Sequence, residues 1–117
     1  MSLKKKEIHF KRLKSKTAIE HLFVEGKVLR SKHLIFRVID KHEGDAFYAG
    51  VSVAKKNHKK AVDRNRIKRQ LRVALMAHKT VFSFPGYGML IFKGRKQVST
   101  FSLIHEGKEL FEKLKKS

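Results

Sequence analysis

Between Ala61 and Arg72 the chain reads Ala-Val-Asp-Arg-Asn-Arg-Ile-Lys-Arg-Gln-Leu-Arg, a run whose guanidinium and ammonium groups suit phosphate contact. Wound as a helix, it places Asn65, Arg66, Lys68, Arg69 and Arg72 on one side and Ile67, Leu71, Ala74 and Leu75 on the other. Five cationic or amide side chains adjoin there without an interspersed acid, which marks a polyanion contact rather than a face solvated by ion pairs. Asn65, between two arginines, has two roles open to it: bonding backbone groups to fix the helix start, or contacting nucleic acid directly. Lys55 and Lys56 either fence the end of the preceding strand or form a plain surface turn. Ile19 and Phe23, one helical turn apart, read as core side chains or as a stacking platform.

Other chemistries find little support. The ten acids do not cluster as a two-metal nuclease requires. Glu106, Glu109 and Glu112 share a helix with Lys108, Lys113, Lys115 and Lys116, a pattern of surface ion pairing. None of the seven histidines stands at i and i+4 from another, so no helical metal motif exists, and only histidines paired over long range would offer a metal-free ribonuclease. Gly86-Tyr-Gly88 is too short for a phosphate-cradling loop and follows the wrong element.

The whole composition points the same way as the cationic run. Twenty-nine Lys and Arg against ten Asp and Glu leave a formal charge of +19 on 117 residues. A surface that repels itself this strongly destabilises the compact monomer and calls for a phosphate-rich partner, with nucleic acid the default. A membrane-surface protein would need a bulky apolar amphipathic face or a lipidation signal, and neither is evident. No apolar run approaches the roughly 20 residues of a membrane span. The N-terminus passes from lysines into Glu7-Ile8-His9-Phe10 instead of an apolar signal core. A cytoplasmic protein is expected, and the absence of Cys fits a reducing compartment.

The elements that must position these groups amount to one domain over 1–117, with nine Phe available for a modest core. Residues 1–14 read as a mobile or irregular basic arm. Thr17-Ala-Ile-Glu20 has capping-box spacing, so a first helix is predicted over roughly 15–25, stopped by Gly26. Leu34 to Asp40 is β-branched and aromatic, Lys41 to Asp45 is a polar turn, and Phe47 to Val53 reads as the second arm of a hairpin. In that arm Phe47, Ala49, Val51 and Val53 alternate with Tyr48, Gly50 and Ser52, leaving a small, partly polar second face. The cationic helix is predicted over about 62–79, a short buried strand over Gly88 to Phe92, and a last helix capped by Ser99 or Thr100.

Gly50-Val-Ser-Val-Ala-Lys-Lys56, followed by Ala61-Val-x-Arg-Asn-Arg-x-Lys-Arg-x-x-Arg72, resembles the protein subunit of bacterial ribonuclease P. The likeness extends over nearly the whole chain, including Arg12-Leu13, the Phe23 and Gly26 pair and the order of elements. It implies an α/β (α+β) two-layer sandwich of the ribosomal protein S5 domain 2-like kind. The elements would be helix, three strands or hairpin, ridge helix, strand and helix, with a four-stranded sheet. The ridge helix would make a left-handed βαβ crossover, where sequence rules alone favour the right-handed one.

The resemblance also implies a task. Such a subunit does not itself cut RNA; it binds a catalytic RNA subunit, one to one, and the 5′ leader of precursor tRNA, while the RNA with its Mg2+ ions performs hydrolysis. By position, Arg64, Asn65, Arg66, Lys68, Arg69 and Arg72 would contact the RNA subunit. Ile19, Phe23, Arg37, Ser52, Lys55 and Lys56 would line the leader cleft between the first helix and the open sheet face. Ile19 and Arg37 stand where the family more often carries aromatics, and the guanidinium plane of Arg37 can supply part of the stacking. The Asn57-His-Lys-Lys60 connector is longer and more basic than in many members. A basic structural protein of the ribosome or nucleoid is the alternative with the same charge but no part in cleavage.

Overall fold

The computed structural model describes residues 8–116. Its elements are β1 (His9–Arg12), α1 (Lys16–Glu25), β2 (Lys27–Arg30), β3 (Leu34–Asp40), β4 (Ala46–Val53), α2 (Ala61–Ala77), β5 (Gly86–Phe92) and α3 (Thr100–Lys116), with a single 3-10 turn at Lys79–Val81. The sheet has five strands in the order β1-β4-β5-β3-β2.

Several sequence expectations change, the first being that the sheet has five strands and not four. The basic arm reads from sequence as mobile or irregular, but His9–Arg12 is a strand parallel to β4, from His9 opposite Ala46 to Arg12 opposite Ala49. Phe10 drives this, since its ring stacks 5.8 Å from Phe82 and 6.3 Å from Phe47 while the edge of β4 supplies backbone partners. Residues 1–7 of the arm lie outside the described residues. The supposed hairpin of β3 and β4 is also not formed, because β5 lies between them, antiparallel to β3 and parallel to β4. The apolar run Gly-Tyr-Gly-Met-Leu-Ile-Phe of β5 belongs in the centre of a sheet covered on both faces. The hairpin is instead β2 with β3.

The main core lies on one sheet face. Phe36, Phe47, Leu90 and Phe92 meet Ile67 and Leu71 of α2 and Leu103, Leu110 and Phe111 of α3, all fully buried. Phe82 joins them, 4.7 Å from Phe47 and 5.0 Å from Phe111. Gly88 is required because a Cβ there would come within 2.6 Å of Phe36 and 2.8 Å of Phe47. On the reverse face α1 packs Ala18 and Leu22 against Leu13 and Met89 as a smaller core.

Local signals explain the helix ends. Ser15, not the Thr17-to-Glu20 pair, caps α1, its hydroxyl accepting from the Ala18 amide at 3.2 Å. Gly26 ends that helix with φ of −66°, so it is needed not for a left-handed turn but because a Cβ would strike the Leu22 carbonyl. Asp63 stands in the first turn of α2, where its charge favours the positive end of the helix dipole. At the other end His78 donates from Nε2 to the Ile104 carbonyl at 2.8 Å and packs edge-on to Phe111, tying α2 to α3. Ser99 caps α3, its hydroxyl accepting from the Ser102 amide.

Candidate nucleic-acid interface

Helix α2 buries Ile67, Leu71, Ala74 and Leu75 as its apolar stripe requires, and this fixes what the other side presents. Asn65, Arg66, Arg69 and Arg72 are exposed and Lys68 is half-buried. None of these five has a side-chain hydrogen bond or ion pair within the described residues. Asn65 therefore does not brace its own helix start, and its amide is open to a partner.

Arg64 behaves differently. It is half-buried and donates from Nη1 to the carbonyls of His58 at 2.9 Å and Lys59 at 2.8 Å. Its guanidinium thus holds the end of the 57–60 connector. The same connector is pinned from its other side, where Asn57 donates to the Lys93 carbonyl at 3.2 Å and buried His58 donates from Nε2 to the Gly94 carbonyl at 2.7 Å. His58 also packs 5.6 Å from Phe92. The long basic connector is an anchored turn, with Lys55, Lys56, Lys59 and Lys60 exposed around it.

The cationic field is not neutralised locally. Among the described residues every close ion pair joins a carboxylate to a histidine, namely His21 with Glu25, His33 with Glu106, His42 with Asp40 and His105 with Glu109. No Lys or Arg among residues 8–114 lies within 4 Å of a carboxylate oxygen, so Glu106, Glu109 and Glu112 make no such pair with Lys108 or Lys113, while the side chains of Lys115 and Lys116 lie outside the described ones. Glu106 instead accepts from the Ser31 hydroxyl, from the His33 amide at 2.7 Å and from His33 Nδ1 at 2.7 Å. Burial pushes its carboxyl up, but those three donors outweigh burial and hold it below the usual carboxylate range. Serine and histidine here bond one carboxylate and not each other, so the group clamps the β2–β3 turn to α3 and activates no nucleophile.

The six residues expected at the cleft divide into two groups. Phe23 and Arg37 come together, the Arg37 guanidinium lying over the Phe23 ring at 4.7 Å and donating to the Phe23 carbonyl at 3.3 Å, while Ile19, one helical turn before Phe23, packs against the smaller core of Leu13, Ala18, Leu22 and Met89. Phe23 remains 44% exposed, so part of its ring stays accessible. Ser52 projects from the same sheet face two strands away, opposite Ile91 of β5, which is opposite Ile35 of β3. Lys55 and Lys56 follow in the turn after β4, at the end of that face. Helix α1 crosses β3 and β5 and leaves the second face of β4, with Tyr48, Gly50 and Ser52, only half-covered.

A cavity of about 420 Å³ joins the two sites. It wraps round the edge of β4 and is lined by Ile19 of α1, by Lys68 and Arg72 of the cationic helix, and by Lys11 and Arg12 of β1. Helix rows explain the reach, because Arg64, Lys68 and Arg72 follow one another at i+4 along the flank of α2 nearest the sheet edge.

Sequence reasoning missed three things here. The Lys11 and Arg12 lining depends on β1 pairing with β4, which four residues among lysines did not signal. Tyr48 and Tyr87, with ring centroids 5.9 Å apart on the cleft face, carry Lys41 over the Tyr87 ring at 5.2 Å. The Lys41 ammonium donates to the Tyr87 hydroxyl at 3.2 Å, and that bond raises its pKa. Their period-two placement in β4 and β5 was legible, but their pairing required the strand order. The third, the clamp on Glu106, links positions more than seventy residues apart.

Comparison with known proteins agrees with this architecture. The family model described as Ribonuclease P matches residues 9–115. The chain is 35% identical over 80 residues to the ribonuclease P protein component of a Synechocystis strain, a stretch covering 68% of this chain and 64% of that protein. It is 29% identical over 103 residues to the corresponding component of Lactobacillus helveticus, covering 88% and 83% of the two chains. The fold is similar to that of the Staphylococcus aureus RNase P protein, with a TM-score of 0.76, 24% identity and coverage of 89% and 94%. It is similar also to that of the Thermotoga maritima protein, with a TM-score of 0.74, 21% identity and coverage of 87% and 96%.

Proposed function

The chain belongs to the Ribonuclease P family, and from that premise we propose that it is the protein subunit of a ribonucleoprotein that removes the 5′ leader of precursor tRNA. One observation carries the reading: the unpaired cations of α2 reach, through Lys68 and Arg72, the same cavity that Ile19 of the α1 cleft lines. A single surface thus serves a structured RNA on the helix and a single strand on the sheet.

The division of labour follows from the chemistry of the side chains. Arg66, Arg69 and Arg72, with Lys68 and Asn65, offer phosphate and 2′-hydroxyl contacts to the RNA subunit. Phe23 supplies a ring face for an unstacked base, and the Arg37 plane extends it. Lys55 and Lys56 draw the leader phosphates along the open face of β4. By neutralising phosphate repulsion between RNA and substrate, the protein favours the Mg2+ ions that serve hydrolysis. Among the described residues no group of three or more His, Asp or Glu side chains converges as a metal site needs. We assign the metal to the RNA, together with the cleavage step.

We infer one protein per RNA subunit, acting in the cytoplasm where precursor tRNA is made. Among the described residues no helix is long and apolar enough to cross a membrane. The test is cleavage of precursor tRNA by the matching RNA subunit at low Mg2+, with and without the protein. Stimulation is expected. Its absence, with RNA binding intact, would leave a basic structural RNA-binding protein, and cleavage by the RNA-free protein would overturn the assignment of chemistry to RNA.

A further inference from the structure

The cavity at the β4 edge has a composition that phosphate contact alone does not require. Its walls include the side chains of Ile19, Met76 and Met89, while Lys11, Arg12, Lys68 and Arg72 line it and no carboxylate does. Its volume, about 420 Å³, lies in the range of small-molecule sites.

Its floor also contains unpaired peptide. Strand β1 accompanies β4 only from Ala46 to Ala49, and the chain then leaves through the bond from the Leu13 amide to the Ala49 carbonyl. The Asp45 and Ala49 carbonyls both face β1, so by the alternation of a strand the N–H and C=O of Val51 face the same edge, beyond the last paired residue. Val51 has no backbone partner on that side among the described residues. An adjacent peptide donor and acceptor beside apolar walls match the edge of a nucleobase, and the surrounding cations match its phosphate.

We propose that this cavity is a nucleotide pocket, taking one unstacked nucleotide of single-stranded RNA with its base against Ile19, Met76 and Met89, its hydrogen-bonding edge on the Val51 peptide and its phosphate among Lys11, Arg12, Lys68 and Arg72. The inference rests on the reading of the chain as an RNA-binding subunit and deepens it by naming a site apart from the Phe23 and Arg37 stack. The nucleotide comes either from the leader or from the RNA subunit, since both present the same chemistry.

The full-length protein, labelled with carbon-13 at its methionine methyls, is titrated with adenosine monophosphate, ribose phosphate and inorganic phosphate. Saturable shifts of the Met76 and Met89 methyls and the Val51 amide are expected with the nucleotide alone. If the nucleotide moves only the resonances that phosphate moves, the pocket is excluded. Met76→Trp, which fills the cavity from an exposed helix position, should weaken nucleotide binding about tenfold and leave phosphate binding within about twofold. Equal weakening of both ligands counts against the pocket, and if the variant does not fold the wild-type methyl titration decides. Crosslinking from 4-thiouridine, placed either in a short leader RNA or in the RNA subunit, identifies the source by attachment near Met76, and no attachment from either overturns the proposal. Cleavage stimulation measured on the same preparation separates the two readings: stimulation without methyl shifts removes the pocket alone, while loss of stimulation removes the subunit role.

Discussion

Arg37 Nη1 and the Phe23 carbonyl are 3.3 Å apart while the guanidinium covers the Phe23 ring, so a strand and the last turn of α1 are joined through one side chain. The cation extends the aromatic surface and fixes the helix above the sheet. Replacing either residue by Ala is expected to cost about 1 kcal/mol of stability, with a coupling of about 0.5–1 kcal/mol in a double-mutant cycle followed by urea denaturation. Both variants should weaken binding of precursor tRNA more than of mature tRNA. Equal loss for the two RNAs would remove the leader role from this pair.

Arg64 and Arg69 are separated by one helical turn and a residue, yet should respond oppositely. Arg69→Ala removes an unpartnered exposed cation, so its melting temperature should stay near wild type while affinity for the RNA subunit falls. Arg64→Ala strips two charge-assisted bonds from the 57–60 connector and should cost about 1–3 kcal/mol. Thermal melts beside RNA filter binding distinguish them, and a destabilised Arg69 variant would show the ridge assignment to be wrong.

Salt dependence tests the phosphate contacts collectively. Neutralisation of six to ten phosphates lowers affinity by roughly 10³–10⁵ between about 50 and 200 mM salt. Each ridge cation removed, Arg66→Ala for example, should flatten the slope of log K against log salt by about 0.7–0.9. A slope unchanged by substitution means that the side chain does not meet a phosphate.

Glu106 links stability to acid pH. Its carboxyl is held low by Ser31 and by the His33 amide and ring, against the upward push of burial. Because the folded pKa lies below the unfolded one, the stabilisation is complete above the ordinary carboxylate range and disappears as pH falls through the folded value. Glu106→Gln should lower stability by about 1–3 kcal/mol at neutral pH. The gap to wild type should close as the carboxyl protonates in the wild type, and a gap that is constant down to acid pH would contradict the linkage.

The cationic ridge, the apolar stripe beneath it and strand β3 were legible because their signals are local: 3.6-residue periodicity, β-branched and aromatic runs, and charge without interspersed acid. The face opposite Ile67 and Leu71 had to be the exposed one. The local reading offered Lys55 and Lys56 as a fence to the open face and Ile19 and Phe23 as a stacking platform, each beside a plainer role, and only a family likeness joined them with Arg37 and Ser52 in one cleft.

What the chain order left open, the tertiary structure decided. Whether β3 pairs with β4 depends on where β5 inserts, and an apolar strand reveals burial but not its neighbours. Whether Phe10 belongs to an arm or a strand depends on Phe47 and Phe82, far along the chain. Arg64 and Arg69 are chemically identical in the sequence, and only the fold of the connector turns one inward to two carbonyls and leaves the other exposed. Periodicity therefore determined which side of each element is apolar, while long-range pairing, with energies that no local window contains, determined which cations are structural, which are free, and that Lys68 and Arg72 share a cavity with Ile19.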